Sequence, residues 1–576
     1  MARILRLFVV ILSLVILLVS IVRAAGDSAV TKAVKSGDLP GLRKLIATRS
    51  DVNAESSDGS TPLLWAAYSS DVEMTRTLVA AGAKVDVANK YGVTPLLQAS
   101  RTGDVAVMDV LLKAGADPKR THPEGETPLM AASRSGSVPA VRLLLDRGAD
   151  VNAADTFQSE TALMWAAAEG HTDVVDALLN AGADPNRQAH VTSITSRRNA
   201  DHPTGGFTAL MWAARNGDEA TVRRLAKGGA NLNLKNGDGA SASVIAIWND
   251  RFDMAATLVN LGADPSDGSL YMAVEMRDAT TDQFAFDGSR LRPDHPNKLS
   301  ALDLITFLLE KGADPNKPFS GQLHSTSMPN GDRFDNTPFY RAAITADAEA
   351  LKVLAAHGAN LEQTPAVASA APPADPADGD DAVAGGRGRG NPNAGRTALM
   401  VSMSGGRGPG MTGGPGLIRE GKEPPYREPG SRKPVDAFTV LLKAGANPNA
   451  KAPDGNTMVH LASQALNLDM IKALAQAGAK LDAPNKDGLS ALDVAEGKQP
   501  EGAAARGGRG ARGGAPPAGG ARGRGGPAGG TTRQDVAKLL RELMGLPPAP
   551  PPAAPAAVPA VPPAAEPAAT PAGDVQ

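Results

Sequence analysis

There is no cysteine in this 576-residue chain. That removes disulfides, thiol nucleophiles, lipoprotein attachment and CxxCH haem attachment together. An excess of one charge is missing too. The 59 Lys and Arg stand against 61 Asp and Glu, a formal charge of −2 that gives no bulk attraction for nucleic acid. Aromatics are only 3% of the residues, and alanine, leucine and valine carry the 42% apolar share, a balance suited to small, closely packed helices. No G-x-x-x-x-G-K-[ST] phosphate loop, G-x-S-x-G elbow or H-E-x-x-H pair occurs. No catalytic residue, metal site or cofactor is therefore expected.

The one long apolar run lies at the N-terminus. Arg3 and Arg6 precede Leu7–Val22, a stretch of 16 residues interrupted only by Ser13 and Ser20, and Val22-Arg23-Ala24 follows. This reads as a signal peptide, residues 1–24, cleaved after Ala24. The run is slightly long for a signal, although short of the roughly 20 residues of a spanning helix, so an uncleaved inner-membrane anchor is the alternative. Removing Arg3, Arg6 and Arg23 would take the charge to about −5. An exported chain without cysteine or an N-x-Ser/Thr sequon fits a bacterial periplasm.

What is present is a repeat. Thr61-Pro62, Thr94-Pro95 and Thr127-Pro128 recur every 33 residues, each opening nearly the same segment. Such a period means a stack of small units, and the chain grows by adding units around one continuous core. Residues 126–159 show the design. Thr127 suits a helix N-cap and Pro128 the first helical position. Leu129, Ala131 and Ala132 give a small apolar face, and Gly136 ends the helix. Val141, Leu144 and Leu145 mark a second, more apolar helix, closed by Gly148-Ala149-Asp150. Val151-Asn152 then leads into an extended turn with Asp155 near its tip.

The motif T-P-L, A-A, G, L-L, G-A-D-x-N resembles the ankyrin repeat. Its second half returns as AGAKVD at 81–86, AGADPK at 114–119, RGADVN at 147–152, AGADPN at 181–186 and GGANLN at 228–233. It continues as LGADPS at 261–266, KGADPN at 311–316, HGANLE at 357–362, AGANPN at 444–449 and AGAKLD at 477–482. With a degenerate first unit and a truncated last one, the expectation is an all-α solenoid of about twelve helix-turn-helix units with β-turn or hairpin tips. The resemblance identifies a fold and leaves function open, since one fold serves many partners.

Departures from the period set the expected organisation. Residues 25–267 read as regular repeats 1–7, and 268–546 as degenerate repeats 8–12. Gly/Pro/Arg-rich inserts fall at 317–336, 363–395, 404–434 and 497–531, with further inserts at 187–206 and 280–300. The inserts and the Pro/Ala tail at 547–576 are expected to be disordered. The Arg-Gly clusters around Arg387, Arg389, Arg407, Arg506 and Arg522 lack interleaved Phe or Tyr and read as linkers, not as RNA-binding segments. His190, His202, His295 and His324 lie in inserts, while His171 and His460 occupy repeat positions.

Trp65, Trp165 and Trp212 share one slot in the first helix, before Ala-Ala, which the resemblance places toward the concave face. Packing between adjacent helices is the plainer reading of that slot. One helical step on stand Tyr68, Arg101, Arg134, Glu169 and Arg215, with Trp248 there in the seventh repeat. Aromatics and arginines are enriched at binding hot spots. The Asp and Asn of G-A-D-x-N read as residues satisfying local backbone donors in a turn. The expected function is thus a non-catalytic, exported protein–protein interaction scaffold that binds a protein partner, with no nucleic acid, and the membrane only if the N-terminal segment stays uncleaved. The alternative is a membrane-anchored accessory protein supporting a periplasmic enzyme or envelope complex.

Overall fold

A computed structural model describes residues 27–191, 205–278, 297–319, 337–364, 395–403, 433–498 and 531–548. The segment 1–24, most of each long insert and most of the tail lie outside the described residues. Those that are described form twenty-four helices in twelve antiparallel pairs, with only three isolated antiparallel bridges. The chain divides into two compact parts, Met1–Asn447 and Pro448–Gln576. The larger part holds ten pairs, from Ala29–Lys35 with Leu39–Ala47 to Ala398–Ser402 with Pro434–Lys443. The smaller holds two, Met458–Gln464 with Leu468–Gln476 and Ala491–Ala495 with Arg533–Leu543.

Each pair follows from its sequence. Thr61, Thr94 and Thr127 are N-caps whose hydroxyls accept the N–H of Leu64, Leu97 and Met130 at 3.2, 3.2 and 3.1 Å, each with proline at the first helical position. Such a cap contributes about 1 kcal/mol. In the fourth repeat the helices are Pro128–Arg134 and Val138–Asp146, and Gly136 follows the first with φ +75°. The His171 ring of the next repeat lies over Gly136, its Nε2 3.0 Å from the Arg134 carbonyl. Alanine pairs such as Ala66-Ala67 and Ala166-Ala167 let first helices approach, while Leu78, Leu111, Leu144, Leu178, Leu225 and Leu258 are fully buried in the second helices. Each such leucine contributes roughly 1.5–3 kcal/mol by leaving water.

The Asp and Asn of the turn divide their labour. The aspartates act locally, as expected: Asp150 accepts the N–H of Asn152 at 2.9 Å and Asp184 that of Asn186 at 2.9 Å. The asparagines do not. Asn152 accepts the N–H of Asp184 at 2.8 Å and donates to the Gly182 carbonyl at 3.2 Å, both in the following repeat. Asn53, Asn186 and Asn316 repeat this clip on the repeats that follow them. Local turn chemistry accounts for one residue of the motif, and inter-repeat stitching for the other.

Packing runs through the expected 267/268 boundary, because Ala242–Trp248 lies against Ser269–Asp278. The 280–300 insert does fall between the helices of its repeat, Ser269–Asp278 and Ala301–Glu310. Its described end returns to the stack: Asn297 accepts the Phe252 N–H at 2.9 Å, and Asp253 accepts the Lys298 N–H at 2.8 Å. The eighth and ninth repeats bury charge. Arg277 meets Asp347, both side chains 1% exposed, and Arg341 is bidentate on Glu275.

Candidate interaction surface

The first helices of repeats two to seven, from Pro62–Tyr68 to Ala242–Trp248, stack in register. Trp65, Trp165 and Trp212 are half-buried in that stack, and each indole Nε1 is shut off from solvent with no hydrogen-bond partner among the described residues. An orphaned donor costs roughly 1–3 kcal/mol. A tryptophan burying 150–250 Å² contributes about 4–6 kcal/mol, so ring packing outweighs the loss. The slot therefore packs. What it offers a partner is the remaining ring edge and the cation beside it.

Each of these rings carries such a cation. Lys35 Nζ sits 3.8 Å from the Trp65 ring centre, Arg134 5.0 Å from that of Trp165 and Arg215 5.3 Å from that of Trp212. Tyr68, 63% exposed, meets Trp65 edge-on at 5.7 Å. Arg101 and Arg134 are exposed, Arg101 paired with Glu126 and Arg134 with Glu169 at 3.4 Å. In that repeat Ala168 fills the slot itself, and Glu169 is the C-cap one residue on. Trp248 is half-buried at the end of its helix. Sequence position thus brings Arg134, Trp165 and Glu169 together, and separately Arg215 with Trp212.

A cleft of about 590 Å³ opens over the third to fifth repeats. Arg101, Glu126, Arg134 and Trp165 line one side, and Glu124, Asp155, Phe157 and Glu160 come from the turn tips. The fourth-repeat tip is irregular. Neighbouring tips close four residues on, Asn89 N–H to Val93 and His122 N–H to Glu126, but Asp155 closes on Glu160, five residues on. Ser159, at φ +58°, stands where Gly125 serves the preceding tip. Phe157 is 74% exposed, as Tyr91 is at 68% in the regular tip, while the buried Asp155 carboxylate accepts the N–H of Phe157 and Gln158 on Oδ1 at 2.9 and 2.6 Å. The Glu160 side chain makes no hydrogen bond or ion pair among the described residues. Burial, then the neighbouring Asp155, raises its carboxyl above the usual range. None of Phe157, Glu160 or Asp155 was singled out as a site residue from sequence. The available signal was the spacing from Thr127 to Thr161, one residue beyond the 33-residue period.

The histidines at repeat positions are structural. His171 bonds the Arg134 carbonyl, and His460 joins the Thr457 hydroxyl at 2.7 Å to the Leu489 carbonyl at 2.9 Å, with burial lowering its pKa.

The family model for ankyrin repeats in three copies matches residues 30–122, 107–189 and 191–268, and the single-repeat model matches 454–486. Among solved structures, the human ASB11 ankyrin repeat domain is similar, with 25% identity, 41% of this chain and 98% of that one covered, and a TM-score of 0.36. No curated protein matches the chain. Repeats of this kind indicate a protein–protein interaction scaffold and are typically non-catalytic. The recurring motif, the helix pairs and these family matches show ankyrin repeats in this chain over residues 30–189, 191–268 and 454–486.

Proposed function

We propose that this protein is an exported, non-catalytic scaffold that docks a protein partner on the first helices and turn tips of its larger part. The observation carrying this reading is the row of exposed side chains in one register, Tyr68, Arg101, Arg134 and Arg215, two of them laid against tryptophan rings. Aromatic and guanidinium groups supported by packed neighbours bind with little ordering cost. The stack presents them on helices fixed by the repeats on either side.

The test is capture of a partner from the periplasmic fraction by the tagged mature chain, identification by mass spectrometry, and affinity measurement with Arg134→Ala and Arg215→Ala. Each substitution is expected to weaken binding by about fivefold or more, the effect of losing over 1 kcal/mol, without altering the circular dichroism. Affinity unchanged in both variants rejects this face.

A second reading rests on the Leu7–Val22 run: an uncleaved N-terminal segment would make the scaffold a membrane-anchored accessory to a periplasmic enzyme or envelope complex. N-terminal sequencing separates the two. A start at Ala25 gives the soluble binder, and an intact Met1 or Ala2 in the membrane fraction gives the anchored form.

A further inference from the structure

We infer that the cleft over the third to fifth repeats receives a cationic side chain of the protein partner, an arginine, between the Glu160 carboxylate and the Phe157 ring. This rests on the scaffold reading and names the chemistry of what docks. The charge arrangement carries it. Four acids line the cleft, Glu124, Glu126, Asp155 and Glu160, against two bases, Arg101 and Arg134. Both bases are already engaged, Arg101 by Glu126 and Arg134 by Glu169 and the Trp165 ring. The Asp155 carboxylate is held within the tip, its Oδ1 accepting the Phe157 and Gln158 amides. Glu160 is left partly desolvated without a counter-charge, a condition that disfavours its ionised form until a cation arrives.

The ring beside it selects among cations. Phe157 stands in the five-residue tip with its face open, and Gln158 behind it is held by the His190 N–H at 2.5 Å, so the tip is tied to the next repeat. A guanidinium is planar and weakly hydrated, and it can stack on an aromatic face while its edge donates two hydrogen bonds to a carboxylate. A lysine ammonium would meet the charge but not the shape. An anionic guest would face the surplus of carboxylates, and a neutral apolar one would desolvate Glu160 further.

The experiment uses the mature chain immobilised on a sensor and three probes: the peptide acetyl-Gly-Gly-Arg-Gly-Gly-amide and the same peptide with citrulline or lysine in place of arginine. Saturable millimolar binding of the arginine peptide is expected, with lysine weaker and citrulline, its neutral isostere, weaker by about tenfold. Glu160→Gln and Phe157→Ala should each lower arginine-peptide binding by about fivefold to tenfold. Phe157 is exposed, so the second variant keeps the fold even if the first alters stability. Equal binding of the citrulline peptide, unchanged affinity in both variants, or no saturable binding of the arginine peptide overturns the inference. A captured partner that binds Glu160→Gln and Phe157→Ala as tightly as the natural chain, yet is lost from Arg134→Ala and Arg215→Ala, leaves the scaffold reading standing and removes this one. If no partner is captured, the scaffold reading fails and the peptide result still decides the cleft.

Discussion

Arg277 and Asp347 form a two-point ion pair, Nε to Oδ2 at 2.6 Å and Nη2 to Oδ1 at 3.1 Å, although 70 residues separate them in sequence. Both side chains are 1% exposed. Asp347 also caps the helix Ala348–Ala356 by accepting the Ala350 N–H at 3.1 Å. One carboxylate therefore holds the eighth repeat to the ninth and starts a helix of the ninth.

Breaking that pair strands a buried charge. Arg277→Met is expected to cost about 3–5 kcal/mol, and the double change Arg277→Met with Asp347→Asn to cost less, because no charge is left uncompensated. Since repeats couple chiefly to neighbours, hydrogen exchange should accelerate in 269–278 and 338–356 and stay unchanged in 62–113. Uniform acceleration along the larger part would contradict this.

The asparagine clips predict a measurable difference between two residues of the same turn. Asn152→Ala removes an accepted and a donated bond to the next repeat and is expected to cost about 1–2 kcal/mol in urea unfolding. Asp150→Ala removes only a local bond from Asn152 and should cost about half as much. Equal costs would show that the turn, not the stitch, sets the stability.

Gly125 and Gly148 both adopt left-handed backbone, at φ +88° and +83°. A Cβ on Gly125 would lie 2.4 Å from the Thr156 nitrogen, and one on Gly148 would meet nothing within 4 Å. Gly148→Ala is expected to cost about 1–2 kcal/mol, the backbone penalty alone. Gly125→Ala should cost more and should also weaken binding at the cleft, because the Thr156 N–H bonded to the Glu124 carbonyl at 3.0 Å must move. Calorimetry of the two variants gives the comparison.

Glu160 ties stability to pH in the opposite sense to most carboxylates. Its folded pKa is raised from 4.5, so the folded chain binds this proton more tightly than the unfolded one, and stability falls as pH rises through that window. Asp155 faces it with like charge, and Arg101 and Arg134 are engaged elsewhere. Glu160→Gln should stabilise the chain at neutral pH, with the gain absent below pH 4.5. Thermal melts across that range read it directly. Stabilisation combined with loss of arginine-peptide binding is the signature of a residue kept for its ligand.

Asp493 in the smaller part behaves conventionally. The Lys498 ammonium, followed by the Ser490 hydroxyl, lowers its pKa from 3.8 to about 2. The lowered value contributes stability that is present above 3.8 and lost as pH falls toward 2. Asp493→Asn should therefore destabilise at pH 7 and match the natural chain near pH 2, as acid titration of its melting would show.

Much of the architecture was legible in the residues themselves. Thr127-Pro128, the alanine pairs and the buried leucines encode caps and apolar faces within a few positions of one another, and helix formation reads those local patterns directly. The tryptophan slot was legible as a position, and packing of the ring was its plainer reading. Its orphaned indole and overlying cation were not legible, because Arg134 reaches Trp165 from the preceding repeat.

By itself, then, the sequence determined the unit: where each helix starts, which face it buries and how often the pattern returns, all consequences of short-range backbone and hydrophobic rules. The tertiary structure decided what the units do to one another. Asn152 stitches to Asp184, Arg277 finds Asp347 across 70 residues, and one cleft gathers the exposed Phe157 with the unpaired Glu160 side chain. Those relations depend on which side chains stacking brings within a few ångströms, and spacing along the chain does not encode that distance.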